Sequence, residues 1–198
     1  MSKGGLRASA KTLAMAIGVV AAYSAGAGAG AADAPAPAGA LTCAGCHGQD
    51  GAAPGTTIPI IGGQRADYLA AALKAYKADE RKFYVMKLIA KGFSDDALAA
   101  MAAWFGARPW VATETAHDPT KAAAGAALAG AVCAACHGAK GEGGEGVPRL
   151  AGQPAAYLVD AIDAYRQGTR AAPAPSMAAL TALDAAAVEA LAHYYAGL

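Results

Sequence analysis

The run Cys43-Ala-Gly-Cys-His47 decides how this chain is read, and it recurs as Cys133-Ala-Ala-Cys-His137. Cys-x-x-Cys-His is the attachment motif for a c-type haem. Two thiols one helical turn apart can form thioethers with the two vinyl groups on one porphyrin edge, and the adjacent histidine then stands over the iron. The two runs use all four cysteines of the chain. Other uses of paired cysteines fit less well. Zinc ribbons space their pairs by roughly 15–20 residues, whereas 86 residues lie between Cys46 and Cys133. A thioredoxin-like dithiol needs a βαβ context that is absent, and a plain disulfide leaves the histidine after each pair unexplained. The expectation is two covalently bound haem c groups on Cys43, Cys46, Cys133 and Cys136, with His47 and His137 as iron ligands. A zinc or dithiol module is the remaining alternative.

The rest of the chain is doubled in the same way, at a nearly constant offset. Pro59, Gly63, Gln64, Tyr68, Leu69 and Tyr76 return 89 residues later as Pro148, Gly152, Gln153, Tyr157, Leu158 and Tyr165. Met86 returns as Met177, and Trp104-Phe105 returns as Tyr194-Tyr195. Two homologous domains are expected, over 39–108 and 119–198, joined by a linker of Pro, Thr and charged residues at 109–118. Periodicity makes each domain helical. Leu69, Ala72, Leu73 and Tyr76 fall at i, i+3, i+4 and i+7, as do Leu158, Ala161, Ile162 and Tyr165. Ser94 and Asp184 read as caps of a closing helix. Its apolar stripe is Leu98, Met101, Ala102 and Phe105 in one copy and Val188, Leu191, Ala192 and Tyr195 in the other. The second copy also has a helix before its cysteines, through Leu128 and Val132, for which Gly39 to Thr42 leave almost no room in the first. Gly- and Pro-rich loops lie between, with little alternation to suggest strands. The fold class is all-α.

Beyond the N-terminal segment the methionines are Met86, Met101 and Met177. Met86 and Met177 lie 40 and 41 residues after the second cysteine of their motifs, in loop-like positions upstream of the closing helix. They are the expected second iron ligands. Met101 sits on the helical stripe, where the other copy has Leu191, so it reads as packing. A thioether opposite a histidine favours ferrous iron and raises the potential, and it fills the position at which a small molecule would bind. The Pro59 and Pro148 carbonyls are candidates to accept the Nδ1 hydrogens of His47 and His137; a loop-shaping role is the alternative for both prolines. His117 and His193 have no counterpart in the other copy and read as linker and helix-surface residues. Gly141-Glu-Gly-Gly-Glu-Gly146 matches Gly-x-Gly-x-x-Gly, but it has no strand before it and no helix after it, so it reads as a flexible loop.

Composition excludes several classes. With a pI near 7.7, a net charge of +1 and no strongly basic run, the chain lacks what nucleic-acid binding requires. Val, Ile, Leu and Phe make up only about 16% of its 198 residues; alanine supplies much of the apolar content. Such a chain builds weak cores by itself. The N-terminus reads as an export signal over 1–32. Lys3, Arg7 and Lys11 precede a short apolar stretch and several Ala-x-Ala sites. A retained anchor is the alternative, for which the stretch is short. Cleavage takes the charge to −2 and leaves a loose Ala/Pro tail at 33–38 in an exported, periplasmic protein with no membrane span. Lys74, Lys77, Arg81, Lys82, Lys87 and Lys91 could form a basic rim near Met86, or an ordinary solvated helix face.

Cys43-Ala-Gly-Cys-His-Gly48, Leu150-Ala-Gly-Gln153 and Leu191-Ala-His-Tyr-Tyr195 resemble exported diheme cytochromes built from two tandem class I domains. Two branches of that family compete. In one, the cytochrome subunit of flavocytochrome c sulfide dehydrogenase takes electrons from a partner flavoprotein. In the other, a "c-four" type cytochrome diffuses freely and delivers electrons towards a terminal oxidase. Met86-Lys-Leu-Ile-Ala-Lys-Gly-Phe-Ser94 and the short first helix are similar to the flavocytochrome subunit. That resemblance implies an FAD-containing partner that performs any sulfide oxidation, a downstream cytochrome or oxidase, and two haems whose propionates approach across the domain interface.

Overall fold

The structure is a computed structural model and describes Met1 and residues 34–112, 116–171 and 175–198. The expected signal segment lies outside these residues apart from Met1. Among the described residues there is no sheet, only isolated antiparallel bridges at Arg81–Arg170 and Gly144–Val147. The first half contains α1 (Ala40–His47), α2 (Ala66–Lys77), α3 (Tyr84–Lys91) and α4 (Asp95–Gly106). The second contains α5 (Pro119–Val132), α6 (Ala134–His137), α7 (Ala155–Arg166), a 3-10 helix (Pro175–Ala182) and α8 (Ala185–Ala196). The fold is all-α. No described helix is long and apolar enough to cross a membrane.

The helices begin where their caps allow. Ser94 Oγ accepts from the Ala97 amide at 3.2 Å, and an Asp184 carboxylate oxygen accepts from Ala187 at 2.8 Å. Asp118 accepts from Thr120 and Lys121, with Pro119 as the first residue of α5. The expected stripes face inward. Leu98, Met101, Ala102 and Phe105 of α4 pack with Leu69 of α2 and with Ala40 and Cys43 of α1. Leu191, Ala192 and Tyr195 of α8 pack with Leu158 of α7 and Ala129 of α5. The repeated aromatic pairs stack edge to face, with centroids 4.8 Å apart for Trp104–Phe105 and 5.1 Å for Tyr194–Tyr195. α5 runs along α8 so closely that a Cβ on Gly125 would sit 2.1 Å from the Ala190 carbonyl oxygen. Only glycine fits there.

Four expectations need correction. Met86 lies inside α3 and Met177 inside the 3-10 helix, so neither sits on a loop. The physical reason is local. Val85, Met86, Ile89 and Ala90 share one helical face, and no Gly or Pro interrupts Met177 to Ala182. The Ala/Pro tail, described from residue 34, is held rather than loose: Trp104 Nε1 donates to the Ala34 carbonyl at 2.9 Å, and the Ala40 amide donates to Pro37 at 2.9 Å. The Gly141–Gly146 loop is tied as well. The Gly143 amide donates to the His137 carbonyl, Gly144 and Val147 bond reciprocally, and the Gly146 amide donates to Asp67 of the first half at 2.7 Å. His193 is also more than a surface residue, because its Nδ1 accepts from the Asp118 amide at 3.0 Å and ties the entry of α5 to α8.

Candidate functional site

Each half places its motif residues on the wall of a cavity that residues of the other half also line. Cys43, Cys46, His47 and Met86 face a cavity of about 400 Å³. Cys133, Cys136, His137 and Met177 face one of about 580 Å³. α1 carries the first motif to its C-terminus at His47, and α6 carries the second to His137. The chain then turns sharply at Gly48 and Gly138, whose φ angles of 82° and 84° lie in the left-handed region. A Cβ at Gly48 would meet the Ala52 carbonyl at 2.6 Å, so both conformation and space demand glycine.

The histidines are set by backbone carbonyls. His47 Nδ1 lies 2.8 Å from the Pro59 oxygen, and His137 Nδ1 lies 2.9 Å from the Pro148 oxygen. A carbonyl can only accept, so Nδ1 carries the proton and Nε2 keeps a lone pair for a metal. Burial pushes both imidazoles below the usual histidine range, partly offset by the carbonyl bonds. Both stay neutral, as ligation requires. Burial likewise raises the Cys43 and Cys133 thiols. Met101 is buried in the first core and also forms cavity wall, with its Sδ 3.8 Å from Cys43 Sγ. Among the described residues no three His, Cys, Asp or Glu side chains gather as a metal cluster, and the two cysteine pairs face separate cavities. A shared zinc site therefore has no donor set.

Comparison with known proteins places this arrangement. The cytochrome c family matches residues 122–197. The crystal structure of reduced cytochrome c4 from Pseudomonas stutzeri superposes with a TM-score of 0.75 at 30% identity, covering 83% of this chain and 98% of that one. The chain belongs to the family of diheme-type class I cytochromes c.

Two further relatives mark its branches. The thiosulfate dehydrogenase electron acceptor of Stutzerimonas stutzeri is 38% identical over 144 residues, 66% of this chain and 66% of that protein. The cytochrome subunit of sulfide dehydrogenase from Chlorobaculum tepidum is 39% identical over 66 residues, 33% of this chain and 59% of that one. This cytochrome thus has two tandem class I domains and is an electron carrier.

What the motifs did not reveal lies between the two cavities. Arg81, Arg170, Tyr68 and Tyr157 line both. Arg81 donates to Tyr157 Oη at 3.3 Å and Arg170 to Tyr68 Oη at 3.1 Å. Each guanidinium also stacks on a tyrosine of its own half, Arg81 on Tyr76 at 4.5 Å and Arg170 on Tyr165 at 4.3 Å. Arg81 is therefore a buried interface residue and no part of a basic rim. Lys77, Lys82 and Lys87 pair with Asp95 and Asp79, which removes most of the remaining rim charge. Among the described residues, neither Arg81 nor Arg170 forms an ion pair with a carboxylate. Burial raises the Tyr68 phenol, but Arg170 and Arg81 outweigh it and bring it down to about 7. Two largely desolvated cations surrounded by phenols call for anions from outside the chain. The carboxylates of a porphyrin suit that need, and a mostly apolar cavity with two thiols, an imidazole and a thioether suits its body. The residues fit haem c. Arg81 and Arg170 do repeat at the 89-residue offset, so the signal was present in the sequence.

Proposed function

We propose that this cytochrome holds one covalent haem c in each domain and works in the periplasm as the electron-accepting haem subunit of a flavoprotein sulfide dehydrogenase, with a downstream cytochrome or oxidase as acceptor. The observation that carries the two-haem reading is the repeated gathering of a Cys-x-x-Cys-His run and a methionine on one cavity wall. Cys43, Cys46, Cys133 and Cys136 would form the thioethers; His47 with Met86, and His137 with Met177, would ligate the irons. When bound, haem c supplies one-electron exchange between ferric and ferrous iron. The chain's own residues hold each imidazole neutral and oriented, bring a thioether to the same cavity and line it with mostly apolar side chains. Any sulfide chemistry belongs to the partner. The sulfide branch rests on the Met86–Ser94 segment and the eight-residue α1.

A second reading is favoured by the 98% coverage of the cytochrome c4 structure, namely a freely diffusing carrier that serves a terminal oxidase. Two experiments test these readings. Intact mass and an absorption spectrum of the exported protein should show two covalent haems; a colourless chain would sink the reading and revive the dithiol module. Affinity capture from the native periplasm should bring down an FAD protein. A monodisperse cytochrome that passes electrons directly to an oxidase would instead establish the freely diffusing reading.

A further inference from the structure

Gln64 and Gln153 occupy equivalent places in the two domains, and each is almost fully buried, at 3% and 2% exposed. Both side chains border the two cavities, and each amide reaches across to the other domain, Gln64 Oε1 also accepting from its neighbour Arg65 at 2.9 Å. Gln153 of the second domain accepts from the Ile60 amide at 2.9 Å through Oε1 and donates to the Ile60 carbonyl at 2.8 Å through Nε2. Gln64 of the first domain does the same to Arg149, accepting from its amide at 2.8 Å and donating to its carbonyl at 2.9 Å. Each amide side chain pairs with both polar groups of one residue, as a neighbouring strand would. The Gly-Gln turns are anchored to their own closing helices by bonds from Gly63 to the Phe105 carbonyl and from Gly152 to the Tyr195 carbonyl, 2.9 and 2.8 Å long. The clamp therefore has a firm base.

What it clamps is specific. The Ile60 N–H and the Pro59 C=O belong to one peptide group, and the Pro59 oxygen is the acceptor for His47 Nδ1–H. The Arg149 N–H and the Pro148 C=O form the equivalent group for His137. A continuous chain of hydrogen bonds thus runs from His47 through the Pro59–Ile60 peptide to Gln153, and from His137 through Pro148–Arg149 to Gln64. Accepting the peptide N–H polarises that peptide and makes its oxygen a better acceptor. A stronger acceptor on Nδ1 makes the imidazole more electron-rich at Nε2.

We propose that Gln64 and Gln153 are positioning residues that act across the domain interface, each tuning the axial histidine of the other domain. The inference rests on the proposed ligation by His47 and His137. Its consequence is that the domains set each other's potentials through backbone peptides as well as through charge. Breaking the clamp weakens the carbonyl acceptor, leaves the imidazole less electron-rich and favours ferrous iron. The potential of the opposite haem should therefore rise.

The test is a pair of redox titrations on the exported holoprotein. In a Met177→His background, where the second haem titrates far from the first, Gln153→Leu should shift the first haem three- to tenfold toward the ferrous form, up to about 59 mV for one electron. Gln64→Leu in the same background should leave the first haem where it was. If Gln64→Leu moves the first haem while Gln153→Leu does not, or if both move it equally, the inference is overturned. Haem count by mass and the His/Met spectrum of the parent protein test the ligation reading separately. Should either leucine variant fail to fold, hydrogen exchange on the parent holoprotein still decides. The Ile60 and Arg149 amides, which lie outside the described helices, and both His Nδ1 protons should be strongly protected. Exchange at the rate of exposed loop amides would overturn the inference.

Discussion

Each motif histidine gives one ring nitrogen to a peptide carbonyl and lines a cavity, and the methionine lining the same cavity has one sulfur to offer. Ligand and packing methionines therefore separate cleanly by experiment. Met86→Ala and Met177→Ala are each expected to abolish the low-spin His/Met signature of one haem while leaving its thioethers intact, as read by absorption and by mass. Met101→Ala should keep both signatures. It should instead cost about 2–5 kcal/mol in denaturant unfolding, because it empties a site that is 1% exposed. The candidate ligands were legible because their chemistry is a matter of residue type and spacing. The helical setting of Met86 was not, because a short apolar run between a Phe and a Gly reads equally as loop or as helix until it finds a partner surface.

Among the elements, α5 and α8 show how an Ala-rich chain builds a core without large side chains. Small residues let the two backbones approach, and the close contact replaces volume that Leu or Ile would fill elsewhere. Two glycines on α5 should therefore behave in opposite ways. Gly125 lies against Ala190 and Tyr194, so Gly125→Val is expected to cost about 1–3 kcal/mol by overpacking or by separating the helices. Gly130 has open space around it, so Gly130→Ala should stabilise the holoprotein by roughly 0.5–1 kcal/mol through helix propensity alone. Thermal unfolding of the two variants side by side checks both signs. The existence of α5 follows from Asp118, Pro119 and the run of alanines. Its partner does not, because a helix this uniformly small shows no apolar stripe that points to one neighbour.

For the whole molecule, the proposed function gives the shortage of large apolar residues and the two cavities one explanation: each domain would close around a haem. Replacing Cys133 and Cys136 together by Ser, so that no haem attaches there, is expected to lose helix in the second domain by far-UV circular dichroism and to expose it to proteolysis. The domain contact also carries a pH dependence. Asp67 is held below the usual carboxylate range first by the Gly146 amide and then by the Tyr68 amide. A carboxylate depressed in the folded state stabilises that state above its unfolded pKa and loses the effect as pH falls through the folded one. Docking of the domains should therefore weaken below about pH 4, and Asp67→Asn should flatten that acid limb by removing the carboxylate's contribution at higher pH, so that stability there falls toward its low-pH value.

The covalent chemistry, the two-fold repetition and the helical class all follow from residue identity and spacing along the chain, because thioether geometry and the 3.6-residue period act over a few neighbouring residues. The meeting of the halves does not. A repeat states that two like units exist and is silent on which of their faces touch. Gln153 meets Ile60 across 93 residues and Gln64 meets Arg149 across 85, and Arg81, which reads as one more surface cation beside the lysines, lies buried against Tyr157. Those pairings exist only once both domains have folded and docked, since burial and partner choice are properties of the assembled core.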